Sequence, residues 1–141
     1  MTKLVRSLLV VTSLLGAQAL LRAETATTTE SPVVQRGRYL VNNVGLCADC
    51  HSPRNEKGEY IRAQWLMGAP LAFAPTVPMP AWSPAAPPIA GLPSMSERDA
   101  RHFLMTGQRP DGSTPRPPMP EFRFSEEDAA AVAAYLKSLA K

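Results

Sequence analysis

The sequence is poor in the groups that most protein chemistry draws on. Its 141 residues hold two cysteines and two histidines. A zinc site takes four protein ligands, or three with an open position, and here His102 lies far from Cys47, Cys50 and His51. No βαβ pattern surrounds the cysteines, which argues against a thioredoxin-like dithiol. No stretch alternates apolar and polar residues with a period of two, which argues against a sheet protein. Aromatic residues make up 6% of the chain. A surplus of one charge is also missing from most of it. Lys plus Arg number 15 against 12 Asp plus Glu, and Lys3, Arg6 and Arg22 all precede Glu24. From Glu24 onward the balance is 12 against 12, so no basic patch suggests nucleic acid, and electrostatic docking must rest on local charge.

A long uninterrupted apolar run is absent too. Met1 to Leu21 is broken by Arg6, Thr12, Ser13 and Gln18 and is short for a spanning helix. Lys3 and Arg6 before the apolar Leu8 to Leu15, with Ala17-Gln18-Ala19 and a weaker Leu21-Arg22-Ala23 as cleavage patterns, read instead as an export signal. The expected organisation is a signal over residues 1–23, a polar spacer over 24–30 and one domain over 31–141. A membrane association follows only if the first segment is retained as an anchor. A mature chain of about 118 residues is near the small end for one apolar core.

What the chain does hold is Cys47-Ala48-Asp49-Cys50-His51. The C-x-x-C-H pattern reads as covalent attachment of a c-type haem. Two thiols on one turn can each bond a vinyl carbon of a porphyrin, and His51 then sits beneath the ring as an iron ligand. A disulfide across Cys47 and Cys50 would leave His51 without a role. A large buried ring also supplies apolar surface that a thin core lacks.

Proline is abundant, with 15 residues, eight of them within the 24 positions from Pro70 to Pro93. Such a run forms neither helix interior nor central strand. Its Leu71, Phe73, Val77, Met79, Trp82 and Ile89 argue for an ordered wrap over one haem edge. Ser31-Pro32 opens a helix with Val33, Gly37, Leu40, Val41 and Val44 at helical spacing, ending at Gly45. Gly37 is costly inside a helix and implies a close helix crossing. Tyr60 to Met67 is expected to form a short helix. Ser96-Glu97-Arg98-Asp99 opens another, ending at Gly107, and Ser125 opens the last, with acids at its start and Lys137 near its end.

Candidates for a sixth iron ligand are Met67, Met79, Met95, Met105, Met119 and His102. Met95 and Met105 flank or lie on a helix and read as packing. Met79 and Met119 both stand in Pro-Met-Pro, on stiff extended backbone with little entropy left to lose. Met119, between the middle and last helices, is the expected ligand, and His/Met ligation raises the iron's potential.

Together these residues resemble class I bacterial cytochromes c, from Ser31 to the C-terminus. Arg36-Gly37-Arg38-Tyr39-Leu40-Val41 with Gly45-Leu46 and the haem motif is similar to their first helix and attachment site. Pro117-Pro118-Met119-Pro120 and the segment to Leu139 resemble their methionine loop and closing helix. The resemblance implies an all-α cytochrome c fold, three to four short helices around one covalent haem, with Gly37 against Tyr135 where the first and last helices cross. The proline-rich segment before the middle helix departs from that family. The implied function is a periplasmic electron carrier, working with a dehydrogenase, an oxidase chain or another cytochrome. The rival is a haem enzyme or ligand sensor with an open iron, such as a peroxidase, for which His102 is the only distal histidine. A third reading makes the haem a structural staple.

Overall fold

The computed structural model describes residues 30–140. The expected signal, and residues 24–29 of the spacer, lie outside the described residues. Helix α1 spans Pro32–Tyr39 and runs on as a π-turn over Leu40–Val44. Ser31 caps it, its hydroxyl accepting from the Val34 N–H at 3.3 Å, and Pro32 sits where no intrahelical N–H is needed. The widened turn lets the Gly45 N–H reach the Leu40 carbonyl at 2.7 Å. Leu46 then takes φ 48 and swings the chain into α2, Ala48–His51.

A single 3₁₀ turn, Arg62–Gln64, stands where a short helix was expected from Tyr60 to Met67. The only strand pairing longer than a single bridge among the described residues joins β1, Ala69–Pro70, antiparallel to β2, Ala85–Ala86. Helix α3 spans Glu97–Thr106 and α4 spans Glu126–Ser138. Ser96 and Ser125 cap them, accepting from Asp99 and Asp128 N–H at 3.1 and 3.2 Å. Asp99 is one methylene shorter than the Glu of a capping box. Its carboxylate takes the Ser96 hydroxyl at 2.7 Å.

Helix α4 is the centre of the packing, lying against both α1 and α3. Its buried residues are Ala129, Ala131, Val132, Ala133, Tyr135 and Leu136, clustered with Leu40 and Val41 of the π-turn and with Ala100 and Leu104 of α3. Of the expected α1 stripe, Gly37, Leu40 and Val41 are buried, whereas Val33 and Val44 are each 52% exposed. Val34 packs on the core in place of Val33. The opened turn after Tyr39 rotates Val44 off the face that an unbroken α-helix would give it.

Gly37 is where α1 and α4 touch. A Cβ there would overlap the Ala131 carbonyl and come within 2.8 Å of Tyr135 Cβ. Arg36, next to it, closes the crossing from outside with an ion pair to Asp128 at 2.9 Å. Gly37→Ala would gain about 1 kcal/mol of helix propensity, yet it must push two packed helices apart, at a cost of about 1–3 kcal/mol. The expected outcome is net destabilisation of up to about 2 kcal/mol, read as a lower urea midpoint with an unchanged slope.

Candidate functional site

The short helix α2 presents its residues to one apolar cavity of about 350 Å³. Cys47, Cys50 and His51 form one wall. Leu71, Ile89 and Leu92 of the proline-rich wrap, Phe103 and Leu104 of α3, and Val132 and Leu136 of α4 form others. Met119 closes the lining from the loop between α3 and α4. Gly45 is small for a reason of place, since a Cβ there would press to 3.2 Å from Cys47 Sγ.

His51 is 5% exposed, and its Nδ1 lies 2.7 Å from the Pro87 carbonyl. A carbonyl only accepts, so Nδ1 carries the proton and Nε2 keeps its lone pair for a metal. Burial pulls the His51 pKa below its ordinary value, against the opposing Pro87 hydrogen bond. The same dry wall pushes the Cys47 thiol up to about 11. The Cys50 thiol is raised as well, by burial and then by the Asp49 charge. Cys47 and Cys50 are not joined to each other in a disulfide. The buried imidazole is held neutral with its Nε2 lone pair free, the form suited to metal ligation.

The loops around α2 hold it in place. The His51 carbonyl accepts from Gly68 N–H at 2.8 Å, and buried Ser52 Oγ accepts from Leu66 N–H at 2.8 Å. Leu66 sits at φ 57, a strained conformation for a leucine. Its fully buried side chain and its carbonyl, which accepts from Ile89 and Ala90, hold it there. On the outer side, Asp49 accepts from Tyr60 and from Arg54 at 3.2 Å, and Arg54 lies over the Tyr60 ring at 3.8 Å.

The candidates for a sixth ligand separate by position. Met119 and Met95 line the cavity. Met67, Met79 and Met105 are 45%, 40% and 36% exposed and lie outside its lining, as does exposed His102. Met95 packs against the apolar core. The proline-rich wrap is split in the same way. Its Leu71, Ala85, Ala86, Pro87, Pro88 and Ile89 face the cavity, while Phe73 and Val77 at its tip are 51% and 63% exposed. The Pro87 carbonyl, Ser52 and Leu66 are site elements that the sequence reading missed, and no motif marks a backbone acceptor.

A small helical domain closing over two cysteines, a histidine and an apolar cavity has the construction of a c-type haem protein. The sequence model of the cytochrome c family matches residues 34–140, and the chain belongs to that family. Membership implies a covalently bound haem c, and the lining fits a flat apolar ring. The chain is 33% identical over 112 residues to a diheme cytochrome c-type protein of Cereibacter sphaeroides, covering 76% of this chain and 36% of that one. It is 35% identical to the cytochrome c subunit of a quinone alcohol dehydrogenase of Gluconobacter oxydans, covering 77% of this chain and 24% of the subunit. It is 31% identical to the gluconate 2-dehydrogenase cytochrome c subunit of Pantoea cypripedii, covering 78% and 27%. The chain therefore spans between a quarter and about a third of the length of these relatives.

Ser52→Ala leaves the buried Leu66 N–H without its acceptor. The expected loss is about 1–3 kcal/mol in denaturant unfolding, with faster exchange of the Leu66 amide hydrogen.

Proposed function

We propose that this chain is a periplasmic electron carrier with a single haem c, and that it takes electrons from a dehydrogenase and passes them toward an oxidase chain or another cytochrome. The bound haem supplies one-electron chemistry between Fe(III) and Fe(II). Cys47 and Cys50 give the two thioether anchors. His51 would ligate the iron through Nε2, with its ring direction fixed by Pro87. Met119 would supply the second ligand from the cavity lining, and a thioether favours reduced iron. The apolar lining excludes water and so raises the potential further. Ligands that stay bound in both oxidation states keep reorganisation small, as a carrier needs.

The observation that carries this reading is that Cys47, Cys50, His51 and Met119 line one apolar cavity, while His102 is exposed outside it. A peroxidase-like site with His102 as its distal base has no support from that placement. One C-x-x-C-H stretch within these 141 residues supports one haem. The dehydrogenase partner rests on the relatives, which include cytochrome subunits of such enzymes. Export fits the expected signal at residues 1–23 and the extracytoplasmic setting of thioether attachment.

Mass spectrometry of the exported protein is expected to show one haem added to the polypeptide, and none in Cys47→Ala/Cys50→Ala. The oxidised protein is expected to show an iron–thioether charge-transfer band that Met119→Ala abolishes and Met95→Leu leaves in place. Loss in Met95→Leu alone would move the ligand to Met95. Rapid cyanide binding to the unmodified protein, without the band, would favour the open-site enzyme.

A further inference from the structure

The loop that carries Met119 is joined to the proline-rich wrap at one place. Arg116 reaches across with Nε donating to the Ala81 carbonyl at 2.9 Å and an Nη2 hydrogen going to the Trp82 carbonyl at 2.7 Å. Those acceptors lie 35 and 34 residues earlier in the chain. One residue further along each strand of this junction, Ser83 N–H donates to the Pro117 carbonyl at 2.8 Å. Three hydrogen bonds thus gather between residues 81–83 and 116–117, two positions before Met119. Ser83, Arg116, Pro118 and Met119 all line the cavity, so the junction is part of its wall.

Neighbouring charge behaves differently. Arg109, also on the cavity lining, spends its donors within its own loop, on Ser113 Oγ at 3.2 Å and the Thr114 carbonyl at 2.7 Å. Arg116 alone of the two spans separate segments. A planar guanidinium suits this, because its fork presents two N–H groups at a fixed spacing to two successive carbonyls. An ammonium has no such fork.

We propose that Arg116 is a positioning residue that clamps the methionine loop to the proline-rich wrap and thereby sets how often the Met119 sulfur leaves the iron. The inference rests on Met119 being the sixth ligand. Its physical content is a loop equilibrium. When the clamp is shut, the thioether is held against the cavity. When it opens, the loop from 109 to 120 swings away and the sixth position becomes available to small ligands. The side chain is largely in solvent, so its bonds are worth a modest factor rather than a large one.

The test uses the holoprotein with imidazole as the probe. Arg116→Ala is expected to raise the rate of imidazole binding to the oxidised protein about tenfold, the factor that 1.4 kcal/mol represents, and to lower the pH at which the thioether band disappears. Arg116→Lys keeps the charge without the fork and is expected to recover only part of that change. A rate equal to the unmodified protein's in Arg116→Ala overturns the clamp. Full recovery in Arg116→Lys overturns it too, because charge alone would then explain the effect. If Arg116→Ala does not assemble, Arg116→Gln, which keeps one donor arm, is read in its place against the same two outcomes. A charge-transfer band that is absent in the unmodified protein, or survives Met119→Ala, would refute the ligand assignment itself and is distinguished from failure of the clamp by that control.

Discussion

One hydrogen bond ties the chemistry to the architecture. The His51 ring is aimed by a carbonyl 36 residues away, on the far side of the cavity wall. For Pro87 to stand there, the wrap must be in place. The wrap is held by Leu66, whose carbonyl takes the Ile89 and Ala90 amides, and by Gly91, whose N–H goes to the Leu136 carbonyl of α4. Helix α4 in turn is fixed by its contact with α1 at Gly37. A continuous series of contacts therefore links the His51 ring to the crossing of α1 and α4.

The same burial that fixes the imidazole also sets its charge state. Taking His51 and Cys47 out of water disfavours the imidazolium and the thiolate. A neutral imidazole is the only form that can donate to a metal, so burial favours the form that the proposed ligation requires. The cost of a polar ring in an apolar setting is offset because its N–H is satisfied by Pro87.

Helices α1, α3 and α4 were legible in the sequence because each carries its own start signal. Ser31-Pro32, Ser96 and Ser125 are local instructions, and the caps form as their residues require. Helix α2 was not, since Cys47 before it makes no side-chain cap bond. Gly37 was legible for a different reason. A glycine inside an otherwise helical pattern needs a compensating contact, and the contact is with Ala131 and Tyr135. Position on the face was less legible. Val44 fits the period, but the π-turn at Leu40–Val44 changes the phase after Tyr39, and no residue type announces such a turn; Val33, in the first turn, is exposed while Val34 packs on the core. Cys47, Cys50 and His51 of the C-x-x-C-H stretch and the proline-flanked Met119, singled out in the sequence, come together on the lining of one cavity. Met95 at the same cavity was not anticipated, because a methionine beside a helix gives no sign of which loop it faces. Backbone acceptors such as Pro87 and Leu66 are invisible in principle, since every residue has a carbonyl.

The proline content of the wrap has a physical reason beyond stiffness. Irregular chain laid over an apolar cavity would bury N–H groups that no water can reach, each at a cost of about 1–3 kcal/mol if left unpaired. Proline has no such group. In the segment facing the cavity, positions 84, 87 and 88 are proline and contribute no donor. The neighbouring donors are committed: Ser83 to Pro117, Ile89 and Ala90 to Leu66, Gly91 to Leu136 and Leu92 to Ile89. The carbonyls left over are then available as acceptors. Pro84 takes the Leu71 amide, Pro87 takes His51, and Ala81 and Trp82 take Arg116. A segment depleted in donors and rich in acceptors is what a buried imidazole and a bridging guanidinium need from the opposite wall. A helix in that place would have spent those carbonyls on its own backbone, and neither side chain would have been held.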